Sequence, residues 1–307
     1  MSFLYAGNYN NKIYMFSDTK VSFSSITEQE IFFSRVLNNS EEKLNILKNF
    51  GIIKSVIINN NICIGFAGRL NDFNKLLDLI EEQNIIELDV IKNKAKEINI
   101  NSNNLTDFII ASANKTKKEL YLVQNGNVFI TETCSIGSPQ TKREFERYKC
   151  ELEIRLNFKN EYQKVNNNIE VLKRDSQSID AEAFRNAIKT TSDDDVGGFM
   201  IRCLEKDGYF YYPEYLESNV EKEYRLESNS SEVPLFDTVE NGGYMYQFFE
   251  SKDIVSLYIN QMKSGIRYDS CIEDIEYRYL KFPIVYNLSE DEFIKKFNII
   301  PPSIRYG

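Results

Sequence analysis

One repeated feature constrains this chain more than any other. Short runs of β-branched and aromatic residues are joined in pairs by dipeptides suited to left-handed backbone. Asn10-Asn11 separates residues 3–9 from 12–18, and Asn59-Asn60 separates 52–58 from 61–67. Asn125-Gly126 separates 119–124 from 128–136, and Lys206-Asp207-Gly208 separates GFMIRCLE from YFYYPEY. Asn, Asp and Gly tolerate the positive φ that a tight hairpin demands, so each pair reads as an antiparallel hairpin. Residues 108–113 (FIIASA) read as one more strand. Between the strand pairs the apolar period changes. Leu70, Phe73, Leu76, Leu77 and Ile80 recur at helical spacing after Gly68, and a second helical stretch runs over 87–98. Helices are also predicted over 141–160 and over 180–191, with Ala181, Phe184, Ala187 and Ile188 inward. Thr27-Glu28-Gln29-Glu30 and Ser40-Glu41-Glu42 carry the start signals of two short helices, the second ended by Gly51.

Strand pairs, two helices, strand pairs, two helices and a strand pair predict an α+β fold. Two antiparallel sheets would stack face to face between helical layers, a four-layer αββα sandwich over residues 1–215. Residues 216–307 begin polar (ESNVEKEYRLESNSSE) and turn rich in Tyr, Phe and Ile, which reads as a C-terminal extension or small lobe. No βαβ alternation, GxGxxG or GxxxxGK[ST] occurs, so nothing supports nucleotide binding.

Composition narrows the chemistry. The 307 residues include no histidine, which excludes any Ser-His-Asp or Cys-His relay and any imidazole-based zinc site. A base must then come from lysine, a carboxylate or a terminal amine. Net charge is −9 and no basic stripe occurs, against nucleic-acid binding. Cys63, Cys134, Cys150, Cys203 and Cys271 form no CxxC pair, which suits buried thiols in a reducing cytoplasm better than a disulfide framework. The first residues carry no basic n-region, and no apolar run approaches ~18 residues, so neither a signal peptide nor a membrane span is expected. No cofactor and no metal are expected. The abundant asparagine reads as a codon bias rather than a prion-like tract.

The simplest histidine-free hydrolase uses an N-terminal Ser, Thr or Cys whose own α-amine serves as base. A free α-amine titrates near ~8 and can accept a proton at neutral pH. Ser2 is small enough that Met1 is readily removed ahead of it. Asp18 follows Ser2 by 16 residues, in Lys12-Ile13-Tyr14-Met15-Phe16-Ser17-Asp18-Thr19-Lys20. Lys54 lies in IIKSVII, a run that looks buried, and a lysine there needs a carboxylate partner. Gly68 follows Lys54 by 14 residues and closes Gly65-Phe66-Ala67-Gly68. Further on come Ser135-Ile136-Gly137-Ser138 and Asp193-Asp194-Asp195-Val196-Gly197-Gly198.

In this order and spacing the segments resemble the proteasome β-type subunits, the N-terminal-nucleophile hydrolases that include the bacterial HslV peptidase. The resemblance covers residues 2–215. It implies that Ser2 Oγ attacks a peptide or amide carbonyl and that the Ser2 amine takes the proton. It implies that Lys54 favours the alkoxide, that Asp18 pairs with Lys54, and that the Gly68 N–H donates to the oxyanion. Ser138 and Asp193 would orient the amine. Peptide or protein substrates, homo-oligomeric rings and an unfolding ATPase partner are implied as well.

This sequence departs from the family pattern in several places. The nucleophile is Ser rather than Thr, Val196 stands where the pattern has Ser, and an insertion lies between Asp18 and Lys54. Two other readings follow from these departures. One is a catalytically inactive member serving binding, assembly or regulation. The other makes residues 216–307 a sensor or docking lobe on a protease core. Each motif also has a structural role open to it: Asp18 as a strand-ending turn, Gly68 as a strand-to-helix turn, and Asp193–Asp195 as a solvated loop or weak cation site.

Overall fold

A computed structural model of the protein describes residues 2–22, 51–82, 87–165, 176–213, 215–219, 243–248, 254–259, 264–269 and 282–298. The helices predicted within 27–50 lie outside the described residues, as do Met1 and Cys271.

Among the described residues, three five-stranded antiparallel sheets are formed. The first contains β1 (Phe3–Tyr9), β2 (Lys12–Ser17), β8 (Thr133–Gly137), β9 (Ile201–Lys206) and β10 (Tyr209–Tyr211), in the order β10-β9-β2-β1-β8. The second contains β3 (Ser55–Ile58), β4 (Ile62–Ala67), β5 (Asp107–Ala113), β6 (Lys118–Gln124) and β7 (Asn127–Ile130), in sequence order. Their hairpins turn where the dipeptides predict. Asn10, Asn11, Asn59, Asn60, Asn125, Gly126, Asp207 and Gly208 all have positive φ, as type I′ turns require. Among the described residues, all nine positive-φ residues other than glycine are Asn or Asp. Part of the asparagine read as codon bias therefore does conformational duty in turns.

Alternation along each strand sorts the side chains into layers. On β1, Leu4 and Ala6 face the second sheet, while Phe3 and Tyr5 face helices α3 (Pro139–Val165) and α4 (Ser176–Thr190). On β4, Cys63 and Ala67 face the first sheet. Ile62, Ile64 and Phe66 instead meet Phe73, Leu76 and Leu77 of α1 (Leu70–Glu82) and Ile91 and Ala95 of α2 (Leu88–Asn101). Both faces of both sheets are thus buried, and the layer order is helix, sheet, sheet, helix: the predicted αββα sandwich. Aromatic residues fill the helical interfaces, with Phe3 stacked on Phe184 at 5.1 Å and Phe66 on Phe73 at 4.1 Å. Between the sheets the filling is smaller. An added Cβ on Gly65 would lie 2.6 Å from Leu4 Cδ2, so a glycine there lets the sheets approach. Burial of each such apolar side chain contributes roughly 1.5–3 kcal/mol.

One sequence expectation is corrected. Residues 128–136 read as one strand but form two in different sheets. Thr131 N–H still donates to Leu120 in the second sheet, whereas Asn8 N–H donates to Glu132 from the first. Period-two alternation continues through such a crossing, so the pattern does not reveal it.

The third sheet is a meander of β11 (Tyr215–Asn219), β12 (Gly243–Phe248), β13 (Ile254–Ile259), β14 (Ser264–Asp269) and β15 (Phe282–Tyr286). It is followed by α5 (Glu290–Phe297), whose start carries a Ser289–Glu292 capping box. Phe293 of α5 is fully buried, and an added Cβ on Gly265 would lie 2.1 Å from its ring. Ile266 and Tyr268 of β14 belong to the buried cluster between the first two sheets. Among the described residues, no helix is long and apolar enough to cross a membrane.

Candidate active site

The strand registers gather the singled-out residues at one end of the sandwich. Leu4 pairs with Ser17, Phe3 with Gly137 and Ser17 with Ile201. The start of β1, the ends of β2 and β8 and the approach to β9 therefore share one end of the first sheet. Ser2, Asp18, Ser138 and the 193–200 segment lie there. In the second sheet Ser55 pairs with Gly65, so Lys54 before β3 and Gly68 after β4 share an end as well. The two ends face each other, because Asp18 and Lys54 meet across the sheets with Oδ2 to Nζ at 2.8 Å.

This ion pair is the centre of the arrangement. Asp18 is 0% and Lys54 2% exposed. Asp18 Oδ1 accepts the Phe3 N–H at 2.9 Å, and Oδ2 accepts the Gly197 N–H at 3.3 Å. Lys54 Nζ also donates to the Lys20 carbonyl. Burial pushes the Lys54 ammonium below the usual lysine range, opposed by the Asp18 and Asp195 charges. Burial raises the Asp18 carboxyl, opposed by Lys54 and by the Phe3 and Gly197 amides. The Ile52 N–H donates to the Thr19 carbonyl, and the Thr19 and Lys20 amides donate to the Gly197 carbonyl. The segments carrying Asp18, Lys54 and Gly197 thus lock one another.

Ser2 is 6% exposed and sits one residue before the amide bound to Asp18. Its carbonyl accepts the Ser138 N–H at 2.8 Å. Gly137 makes that contact sterically feasible: at φ 96°, an added Cβ would lie 1.8 Å from the Ser2 carbonyl oxygen and 3.2 Å from Ala67 Cβ. Ala67 directly precedes Gly68, so the starts of β1 and α1 flank the same glycine. Gly68 itself, at φ 133°, has no room for a side chain against the Leu105 carbonyl. Thr106 Oγ1 accepts the Arg69 N–H and donates to Asp72, fixing the first turn of α1 just beyond.

Ser138 joins two elements. Its hydroxyl donates to Asp193 and accepts the Thr141 N–H at 3.1 Å, capping α3. Asp193 in turn accepts the Asp195 N–H at 2.9 Å. Thr141 and Thr191 hydroxyls meet at 2.9 Å and tie α3 to the end of α4. Val196 is an apolar member of the cluster under the first sheet. The structure therefore brings Asp18 with Lys54 and Ser138 with Asp193 into direct contact, and sets Ser2 and Ala67, the residue before Gly68, against Gly137. Sequence reasoning missed Thr141, and placed Gly137 and Gly197 within their segments without giving either a role. The Ser138-x-x-Thr141 spacing of a helix cap was available as a signal for the first.

Together these groups provide a buried cation held by a carboxylate, a hydroxyl-bearing residue one position from that carboxylate's amide ligand, and a helix start with its N–H groups at the same end. Such a set suits attack on a carbonyl with stabilisation of the resulting anion. Among the described residues no group of three or more Cys, Asp or Glu side chains is placed to hold a metal ion.

No sequence-family model matches the chain, and no curated protein does. Among solved structures it is similar to the crystal structure of eukaryotic HslV from Trypanosoma brucei. That likeness has a TM-score of 0.42 and 16% sequence identity, and covers 66% of this chain and 98% of that chain.

Proposed function

We propose that the chain is a proteasome-like N-terminal-nucleophile hydrolase that cleaves peptide bonds with Ser2 after removal of Met1. The observation that carries this reading is the Phe3 N–H on Asp18, whose other oxygen holds Lys54. That chain of contacts anchors the residue next to Ser2 on the carboxylate that holds the only buried ammonium at this end among the described residues.

In this mechanism the Ser2 amine takes the hydroxyl proton as Oγ attacks the substrate carbonyl. Lys54 favours the alkoxide form, and the Gly68 N–H donates to the oxyanion. The protonated amine then gives its proton to the leaving nitrogen, and the C–N bond breaks to leave an ester on Ser2. Water, deprotonated by the same amine, cleaves the ester and restores the hydroxyl. Ser138 and Asp193 orient the amine. Losing one oxyanion donor in such a site typically costs about 3 kcal/mol of barrier.

The proposal includes a 1–215 hydrolase domain, a 216–307 extension, a cytoplasmic setting, a homo-oligomer and an unfolding ATPase as partner. A second reading, an inactive member serving assembly or regulation, is favoured by Val196. Its buried aliphatic side chain offers no hydrogen bond to the amine.

Intact mass and reaction with a β-lactone or epoxyketone probe separate the two. The hydrolase loses Met1 and labels at Ser2; Ser2→Ala abolishes labelling without unfolding the chain, and Lys54→Ala removes most of the activity. A chain that keeps Met1 and stays unlabelled refutes the hydrolase.

A further inference from the structure

The strands β3 and β10 are each an edge strand of their sheet. An edge strand leaves alternate carbonyls without a ladder partner. On β3 the Lys54 carbonyl turns inward and accepts the Phe66 N–H from β4. The next carbonyl, that of Ser55, therefore points outward to the open edge. There it accepts the hydroxyl of Tyr212 at 2.6 Å. Tyr212 is fully buried, immediately follows β10, and belongs with Ser55 to two different sheets. At the other end of the same edge the Phe210 N–H donates to the Asn60 carbonyl at 2.7 Å. Thus the 210–212 segment reaches both ends of β3, with a main-chain contact at the turn and a side-chain contact beside Lys54.

Two further facts give Tyr212 more than a packing role. Ser55, whose carbonyl it holds, also meets Ser17 through their hydroxyls at 3.3 Å. Ser55, the residue following Lys54, is thus held by its hydroxyl from β2, next to Asp18, and by its carbonyl from Tyr212 just beyond β10. Secondly, Tyr212 stands at the exit of the chain toward the third sheet, which begins at Tyr215. Ile266 and Tyr268 of that sheet share the buried cluster that contains Tyr212 and Phe210. The third sheet therefore contributes to the same buried cluster as the residue that holds Ser55, the neighbour of Lys54.

We infer that Tyr212 is a positioning residue through which docking of the C-terminal sheet sets the placement of Lys54 against Asp18. This rests on the proposed hydrolase only for its kinetic consequence; the placement itself is independent of turnover. Tyr212→Phe keeps the ring in its cluster and removes the one hydroxyl. The Ser55 carbonyl then loses that donor, and the start of β3 is held beside Asp18 by one contact fewer.

The test uses the full chain and two readouts. The first is NMR titration of the Lys54 side chain, assigned with Lys54→Met, in wild type and in Tyr212→Phe. A displaced titration midpoint in Tyr212→Phe is expected. The second is the rate of Ser2 labelling and of peptide cleavage. A fall in kcat of roughly tenfold to a hundredfold with KM unchanged is expected, since misplacing a catalytic group by about 1 Å can cost about a hundredfold. An unchanged Lys54 titration in a folded Tyr212→Phe overturns the inference. If wild type is unlabelled but the titration moves, the hydrolase reading fails and the positioning role stands. If Tyr212→Phe does not fold, a ring-fluorinated tyrosine at 212 keeps the shape and strengthens the donor. An unmoved Lys54 midpoint there is equally fatal.

Discussion

Replacing Lys54 with Met preserves the bulk of the stem and removes a charge from a side chain that is 2% exposed. Asp18 is left with the Phe3 and Gly197 amides as its remaining partners. Removing one member of a buried ion pair typically costs about 3–5 kcal/mol. Protonation of Asp18 sets a ceiling on that cost. Holding a proton at about pH 7 on a carboxyl whose unfolded pKa is ~3.9 costs about 4 kcal/mol, at about 1.4 kcal/mol per pH unit. In the variant the folded pKa of Asp18, already raised by burial, rises further above its unfolded value, because the cation that opposed burial is gone. The folded state then keeps a proton that the unfolded state has lost, so stability falls as pH climbs between those two values. Urea unfolding of Lys54→Met should show a loss of about 3–4 kcal/mol at about pH 7, shrinking to about 1.5 kcal/mol at about pH 5. Adding Asp18→Asn to the variant should remove the pH dependence. A loss under about 1 kcal/mol at neutral pH, or one that is flat with pH, refutes a buried ion pair at this position.

Gly137→Ala should cost about 1–3 kcal/mol, because its Cβ collides with the Ser2 carbonyl at a positive φ; thermal unfolding measures this, and Ser2 labelling should slow in parallel. Asp180→Leu strands the hydroxyls of Tyr5 and Tyr14, which donate to Asp180 at 2.9 and 2.7 Å, along with the Lys149 ammonium. A loss of about 2–4 kcal/mol in chemical denaturation is expected. Burial pushes the Cys134 thiol up to about 12, and Cys63 and Cys203 are buried as well. Mass-mapped alkylation at about pH 8 should therefore modify exposed Cys150 well before these three.

The sandwich was legible because its signals are local. Left-handed dipeptides mark the hairpins, and the change from period two to helical spacing marks the layers. The need of Lys54 for a carboxylate was legible too, since an ammonium within IIKSVII has no route to water. The passage of 131–132 between sheets was not, because alternation is blind to which partner a strand takes. The role of Gly137, a residue already within a singled-out segment, was hidden for a different reason: its importance comes from a carbonyl 135 positions earlier in the chain. Tyr212 looked like one more aromatic in a core-forming run, and only the third dimension puts its hydroxyl on Ser55.

Three of the four hairpin turns lie at the end of the sandwich away from Lys54, and two of them are fastened to the opposite sheet. The Asn60 carbonyl takes the Phe210 amide, the Asn61 carbonyl takes the Ala113 amide, and Gly208 is wedged against Asn114. The two sheets are thus bound like a book, with a stitched spine and the chemistry at the fore-edge. A strand of six residues makes the page about 20 Å deep, so a tilt of only about 3° at the spine displaces the fore-edge by about 1 Å. Bulky replacements at Gly208 are therefore levers on the gap between Asp18 and Lys54, though they touch neither.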